Sequence, residues 1–185
     1  MEIILLVISF NLSLVKRPFN NSIFLNSLVV LGIGAFSLPI LKRYNPTMAY
    51  TYFATRIIEA TLLAVGMCAL MLHTTMGNVY QSAEPKAIAN LQIMSKLAFD
   101  FNFYAYQFTM LLLSFVSVFF CAFLYKEQLI PRWAAIWGSI GYFVLMSGCI
   151  LELFGFPYGI MLALPGGFFE LYLGVFLIVK GLKIK

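Results

Sequence analysis

Charged residues are scarce in this sequence of 185 residues. Only 10% are Asp, Glu, Lys or Arg, whereas 62% are hydrophobic, and the mean hydropathy is +0.94. Soluble domains average about a quarter charged residues. A soluble chain of this length could not bury so much apolar surface, because surface-to-volume scaling limits the size of its core. The composition therefore excludes an ordinary soluble domain and predicts an integral membrane protein.

Metal-ligating and nucleophilic groups are also few. The single histidine, His73, lies in a polar stretch and is expected to be a solvated loop residue. Cys68, Cys121 and Cys149 lie separately in apolar runs, whereas metal and redox sites need clustered ligands. No HExxH, GxSxG, P-loop or GxGxxG motif is present. The sequence therefore predicts no metal and no other cofactor, and an intramembrane enzyme is the least favoured function.

Long apolar runs fill most of the chain. A spanning helix needs about 20 apolar residues, and residues 1–15 fall short, which leaves open a stunted spanning helix or an interfacial one. We predict one all-α domain over residues 1–185, a polytopic transmembrane helix bundle with five spanning helices and this additional short segment. The five predicted spans are residues 22–41, 48–72, 97–125, 133–154 and 158–180.

A polar stretch at residues 73–96 separates the second predicted span from the third. Pro85 is suited to the first turn of a helix. Ile88, Leu91 and Met94 recur at helical spacing after it. This pattern fits an interfacial helix, and it fits an ordinary ordered loop equally well.

The basic residues form short clusters at the ends of the apolar runs. They form no extended stripe, so the sequence does not predict nucleic-acid binding. Because cytoplasmic loops carry an excess of Lys and Arg, the side with more of them, which includes the C-terminus, is expected in the cytoplasm. That side carries Lys42, Arg43, Lys126, Arg132, Lys180, Lys183 and Lys185, and the other carries Lys16, Arg17, Lys86 and Lys96.

Polar side chains inside the apolar runs carry the chemical content of the sequence. Arg56 and Glu59 are three residues apart on one helix, so they share a face and can pair. Ionisable groups in lipid are costly and usually face a bundle interior or a cavity. A polar stripe also runs from Asp100 and is expected to face other helices and not lipid. Its further members are Tyr104, Gln107, Ser114, Ser117 and Cys121. The candidate polar pocket comprises Arg56, Glu59, Asp100, Tyr104, Gln107, Glu152 and Glu170.

Two interpretations of these charges remain open. One is a polar or proton-responsive pocket that opens to the outside past Asp100 and Glu152. The other is a buried ionic cluster that fixes helix packing. Because one arginine cannot compensate three glutamates, at least one glutamate is expected to be protonated at neutral pH. Gly66, Gly166, Gly167 and Gly174 predict close helix packing beside the charges.

Three segments together resemble a known family. They are Arg-Ile-Ile-Glu-Ala at 56–60, Leu-Tyr-Lys followed by Leu-Ile-Pro-Arg within 124–132, and Glu-Leu followed by Phe-Leu-Ile-Val-Lys-Gly within 170–181. In this order and spacing, over about residues 22–181, the chain resembles the bacterial integral-membrane family called domain of unknown function 4386. The resemblance implies a bacterial inner (cytoplasmic) membrane protein and no particular activity.

The function that the sequence favours is binding or moving a small solute, ion or lipid through a polar pocket between helices. The alternative is a non-catalytic accessory or partner subunit with a structural ion cluster. The expected partners are the lipid bilayer, a second copy or another membrane protein, and a small-molecule or lipid ligand. Secondary transporters often have ten or more helices and internal repeats. This chain has neither, so transport would call for a homodimer.

Overall fold

The computed structural model describes residues 19–80, 84–156 and 159–180, and in these ranges the chain forms helices without any strand. The all-α class is therefore confirmed for this part of the chain. The predictions for residues 1–15 and for Gly181, Lys183 and Lys185 lie outside it. The helices are α1 (Phe19–Leu41), α2 (Pro46–Tyr80), α3 (Pro85–Lys126), α4 (Arg132–Leu153) and α5 (Gly159–Val179).

The second and third helices are longer than the apolar runs that they contain. α2 has 35 residues and α3 has 42, which correspond to about 52 and 63 Å at 1.5 Å per residue. Most of the stretch 73–96 is thus the end of α2 and the start of α3, not a separate interfacial helix or a loop. Pro85 begins α3, where its missing N–H costs nothing, and no proline interrupts residues 47–84.

Three of the helices, α2, α3 and α4, are long and apolar enough to cross a membrane. The apolar stretches described in α1 and α5, Asn26–Leu41 and Met161–Leu177, are shorter. The outer surface is apolar as well: Phe36, Phe108 and Phe143 are each more than half exposed. Contiguous exposed apolar surface is rare on soluble monomers, so these observations indicate a membrane protein.

Each helix packs mainly on its neighbours in the chain: α1 on α2, α2 on α3, α3 on α4 and α4 on α5. One apolar core nevertheless includes side chains from all five helices, among them Leu41, Tyr52, Leu124, Ala135 and Phe169. α3 has the most buried positions, which lie between Ala105 and Leu124 and form two series at spacings of three or four residues. One series includes Ala105, Thr109 and Leu113, and the other includes Ser114, Ser117 and Cys121. Each series buries one face, so α3 packs on two sides, against α2 and α4.

The turn between α3 and α4 has a well-defined C-cap. Leu129 N–H donates to the Leu124 carbonyl at 3.2 Å, and Gln128 N–H donates to the Tyr125 carbonyl at 3.3 Å. This is the Schellman pattern, in which the residue between the two bonds takes a left-handed conformation. That residue is Gln128, with φ 54. Leu124 and Leu129 supply the accompanying apolar contact and are each 1% exposed.

Candidate functional site

Arg56 and Glu59 form a buried ion pair on α2. Nη1 of Arg56 donates to Oε2 of Glu59 at 2.7 Å, as their spacing predicted. The two residues are 8% and 4% exposed. The guanidinium also lies 4.9 Å from the ring centroid of Tyr52, which stacks on Phe120 of α3 at 4.5 Å. An aromatic face stabilises a cation, so Arg56 has a second partner on its own helix.

A second hydrogen bond joins α4 to α5. The Tyr142 hydroxyl donates to Oε1 of Glu170 at 2.8 Å. Tyr142 is buried, whereas Glu170 is exposed. Glu170 also interacts electrostatically with Arg56 and with Glu59. The three charges and the tyrosine therefore belong to one group, although they come from three helices.

These four side chains lie at a similar height in the helix array. Arg56 is ten residues after Pro46, Tyr142 is ten residues after Arg132, and Glu170 is nine residues before Val179. Because the chain alternates direction, these three helix ends lie on one side. These three residues are about 15 Å from that side at 1.5 Å per residue, and Glu59, one turn farther along α2, is about 20 Å from it. We refer to Arg56, Glu59, Tyr142 and Glu170 as the polar layer.

The charges of the polar layer do not balance. When Arg56 and the two glutamates are ionised, the charge of Glu59 compensates that of Arg56. The negative charge of Glu170 then remains uncompensated. Within the described residues, the only hydrogen bond to Glu170 is the one from Tyr142. Nε of Arg56 is buried and has no hydrogen-bond partner among the described residues. The layer therefore has one exposed acceptor group and one unused buried donor.

Glycines bring the helices close together around the layer. A Cβ added at Gly34 of α1 would lie 2.8 Å from Cβ of Arg56, and one at Gly141 of α4 would lie 3.0 Å from the backbone nitrogen of Gly166. The close packing predicted at Gly66 is present, since an added Cβ would lie 3.3 Å from Cβ of Ala105. The prediction for Gly167 is wrong for the described residues, because none of their atoms lies within 4 Å of the corresponding position. Gly167 lies on the exposed side of α5.

The other predicted pocket residues are not joined to the polar layer. Gln107 is buried on α3, Asp100 and Glu152 are half-buried, and Tyr104 is 51% exposed. In the described part of the chain, no hydrogen bond or ion pair links these four to the layer. The predicted stripe is confirmed at Gln107 and, farther along α3, at Ser114, Ser117 and Cys121, which are buried. It is wrong at Tyr104, which is exposed.

Sequence reasoning missed Tyr142. Its only signal was its place among small residues of α4, where Gly138, Gly141 and Gly148 share the buried face. An added Cβ at Gly138 would lie 2.6 Å from the Phe169 ring, and one at Gly148 would lie 2.8 Å from Cβ of Leu162. This close approach of α4 and α5 is what places the Tyr142 hydroxyl against Glu170.

Comparison with known proteins assigns the chain to a family. The family model described as domain of unknown function (DUF4386) matches residues 22–181. The chain belongs to the DUF4386 family. The comparison with curated proteins finds no match, and neither does the comparison with solved structures.

The three segments on which the resemblance to DUF4386 rests have clear places in the fold. Residues 56–60 carry the ion pair of the polar layer, and residues 170–181 begin with its exposed carboxylate. Residues 124–132 form the Schellman turn and the start of α4. Two of the segments therefore contain charged residues of the polar layer, and the third forms the turn between α3 and α4.

This DUF4386 chain has a separate groove of 390 Å³ between the end of α2 and the start of α3. His73 helps to line it, and its Nδ1 lies 2.8 Å from Oγ and 3.1 Å from the carbonyl oxygen of Ser95. The expectation of a solvated loop histidine is wrong. His73 is half-buried on α2 and joins it to α3, and its ring centroid lies 5.7 Å from that of Phe99.

Proposed function

We propose that this DUF4386 protein is a membrane protein whose five described helices all span the bilayer. We further propose that its polar layer binds a small monovalent cation, either an alkali ion or a protonated amine. One observation carries the second proposal: Glu170 is exposed and accepts a single hydrogen bond, while the arginine of the layer is already paired with Glu59.

The exposure of Glu170 is significant because of the depth of the polar layer in the bilayer. The hydrocarbon core of a bilayer is about 30 Å thick, so groups about 15 Å from the helix ends would lie near its middle. A carboxylate exposed at that depth has no water to stabilise it, and intramembrane charges usually pair with another charge or face a polar cavity. Glu170 is therefore neutralised at this depth by a proton or by a cation, and the two compete for the same carboxylate.

The surrounding groups favour a single positive charge. Coulomb interactions strengthen as the effective dielectric constant falls, so Glu170 attracts a cation strongly at this depth. The nearby guanidinium of Arg56 opposes a second positive charge. Oxygen ligands, here the free Oε2 of Glu170 and the hydroxyl oxygen of Tyr142, suit hard cations and also accept hydrogen bonds from an ammonium group.

Carbodiimide labelling in proteoliposomes tests the proposal. Dicyclohexylcarbodiimide adds covalently to protonated carboxyl groups in apolar surroundings, and a cation bound to the carboxylate protects it. We expect peptide mass spectrometry to detect label at Glu170. Labelling should slow as Na⁺ or methylammonium replaces the bulky cation N-methylglucamine at constant ionic strength. Protection by neither small cation would overturn the proposal.

Two variants serve as controls for the labelling. Glu170→Gln removes the reactive carboxyl and should abolish the labelled peptide. Glu152→Gln removes a half-buried carboxyl near the other end of α4 and should leave both the labelling of Glu170 and its protection unchanged. Loss of protection in Glu152→Gln would place the cation elsewhere.

A partner subunit is the second candidate, and the exposed side of α5 favours it. Phe168 and Leu171 are more than half exposed beside Glu170, and Gly167 has no atom within 4 Å of an added Cβ. Small residues let a second helix approach closely in lipid. If a second copy or another membrane protein covers this face, Glu170 should resist the carbodiimide until Gly167→Leu disrupts the contact.

A further inference from the structure

The residues that line the groove between α2 and α3 are suited to binding an amphiphile, because they combine apolar side chains with one positive charge. Met76, Leu91 and Phe99 supply apolar surface, and Lys96 supplies a positive charge. Its 390 Å³ fall within the range of small-ligand sites, about 300–1,000 Å³. None of its described lining residues is acidic. Lys96 forms no ion pair in the described part of the chain, although Asp100 is one turn away.

The height of the groove points to a lipid headgroup. This step rests on the proposed membrane placement, but not on cation binding at Glu170. His73 directly follows the apolar run 48–72, and Lys96 directly precedes the apolar run 97–125. Each run has at least the roughly 20 apolar residues that cross the hydrocarbon core, so both side chains lie at the interface where the core ends.

The apolar walls of the groove suit the start of an acyl chain. Met76 lies on α2, and Leu91 and Phe99 lie on α3. A lipid whose first carbons packed on these side chains would keep its headgroup beside Lys96.

The polar groups of the groove suit a phosphate. Lys96 offers a point charge, and Lys is a common phosphate ligand. Gln92 and Tyr80 also line the groove, where the Gln92 amide donates to the Tyr80 hydroxyl at 3.4 Å. That weak bond leaves the Tyr80 hydroxyl proton available to a phosphate oxygen. We propose that the groove binds the headgroup of an anionic phospholipid, with Lys96 at the phosphate.

Lipid retention by the full-length protein tests this site. We would reconstitute it with phosphatidylglycerol or phosphatidylcholine, remove bulk lipid and count retained lipids by native mass spectrometry. The wild-type protein should prefer phosphatidylglycerol. Lys96→Gln should lower that preference about fivefold, the effect of one basic residue near an anionic surface. Lys86→Gln, an exposed lysine of α3 outside the groove lining, should not change it.

A second variant fills the groove without disturbing the fold. Among the described residues, a Cβ at Gly77 meets no atom within 4 Å, so Gly77→Leu should occupy the groove and reduce phospholipid retention. Gly32 is equally open on α1, and Gly32→Leu should leave retention intact. Equal retention of the two lipids by the wild-type protein, or an unchanged preference in both Lys96→Gln and Gly77→Leu, would overturn the proposal.

Soluble glycerol 1-phosphate distinguishes a lipid from a free phosphate. It should fail to displace phosphatidylglycerol, because it lacks the acyl chains that would pack on the apolar walls of the groove. Displacement at millimolar concentration would show a soluble-phosphate site instead. Cation protection at Glu170 is read out separately, so either proposal can fail while the other stands.

Discussion

The buried ion pair of Arg56 with Glu59 is expected to contribute to the stability of the fold. Removing one partner of a buried ion pair leaves the other charge uncompensated and costs about 3–5 kcal/mol. Arg56→Met keeps the Cβ and Cγ atoms that approach Gly34, so its main effect is to strand Glu59. We expect Arg56→Met to lower the unfolding free energy by about that amount. Reversible unfolding in mixed dodecyl sulfate micelles would measure it.

The matched variant is Arg56→Met combined with Glu59→Leu. Replacing both members of a buried pair by apolar residues is often neutral, so the double variant should regain most of the lost stability. A double variant no more stable than Arg56→Met alone would mean that Glu59 does not carry the penalty. Tyr52 and Glu170, which also interact with the guanidinium, would then be its main partners.

At this same scale, local spacing decided what the sequence could predict. Arg56 and Glu59 are one helical turn apart, so helix geometry alone predicted their contact. Tyr142 and Glu170 are 28 residues apart on different helices. A tyrosine in an apolar run has the same pattern whether it faces lipid or a carboxylate, and only the packing of α4 on α5 distinguishes the two.

Among the helices, the contact of α4 with α5 is the most sensitive to added volume. An added Cβ at Gly141 would meet backbone atoms of Gly166, which cannot rotate away. We expect Gly141→Ala to destabilise the protein by about 1–3 kcal/mol through overpacking, and to weaken cation protection at Glu170 by shifting Tyr142. Thermal unfolding and carbodiimide labelling would measure the two effects.

Gly167→Ala is the control on the facing helix. It adds the same methyl group to α5 where no atom lies within 4 Å. Alanine also has the higher helix propensity, by about 1 kcal/mol, so this variant should be neutral or slightly more stable. If both variants lost stability equally, the cause would be a general intolerance of α4 and α5 to substitution and not the contact at Gly166.

The length of α2 and α3 shows where sequence patterns were insufficient. The apolar runs correctly predicted the parts of both helices that lie nearest the polar layer. The polar stretch 73–96 has only three apolar residues at helical spacing after Pro85, too few to separate a helix from a loop. Its helical state depends on contacts between α2 and α3, such as that of His73 with Ser95. Such contacts leave no periodic pattern in the local sequence.

For the whole molecule, the distribution of basic residues predicts which side each helix end occupies. The last helix, α5, ends on the side with Lys42, Arg43 and Lys126, and the residues that follow it are expected on that side. If it is cytoplasmic, as the positive-inside rule predicts, green fluorescent protein fused after the last residue should fluoresce. Alkaline phosphatase at the same point should be inactive, because it needs the oxidising periplasm to form its disulfides.

The same reporters inserted between Tyr80 and Pro85 should give the opposite result, because this connection lies at the far ends of α2 and α3. That outcome would place the lipid groove in the outer leaflet, and the polar layer near the middle of the bilayer. The reverse pattern of reporter activity would mean that the helix array has the opposite orientation in the membrane. The layer would keep its depth, but Lys96 would then face the cytoplasmic leaflet, where anionic lipids attract basic residues.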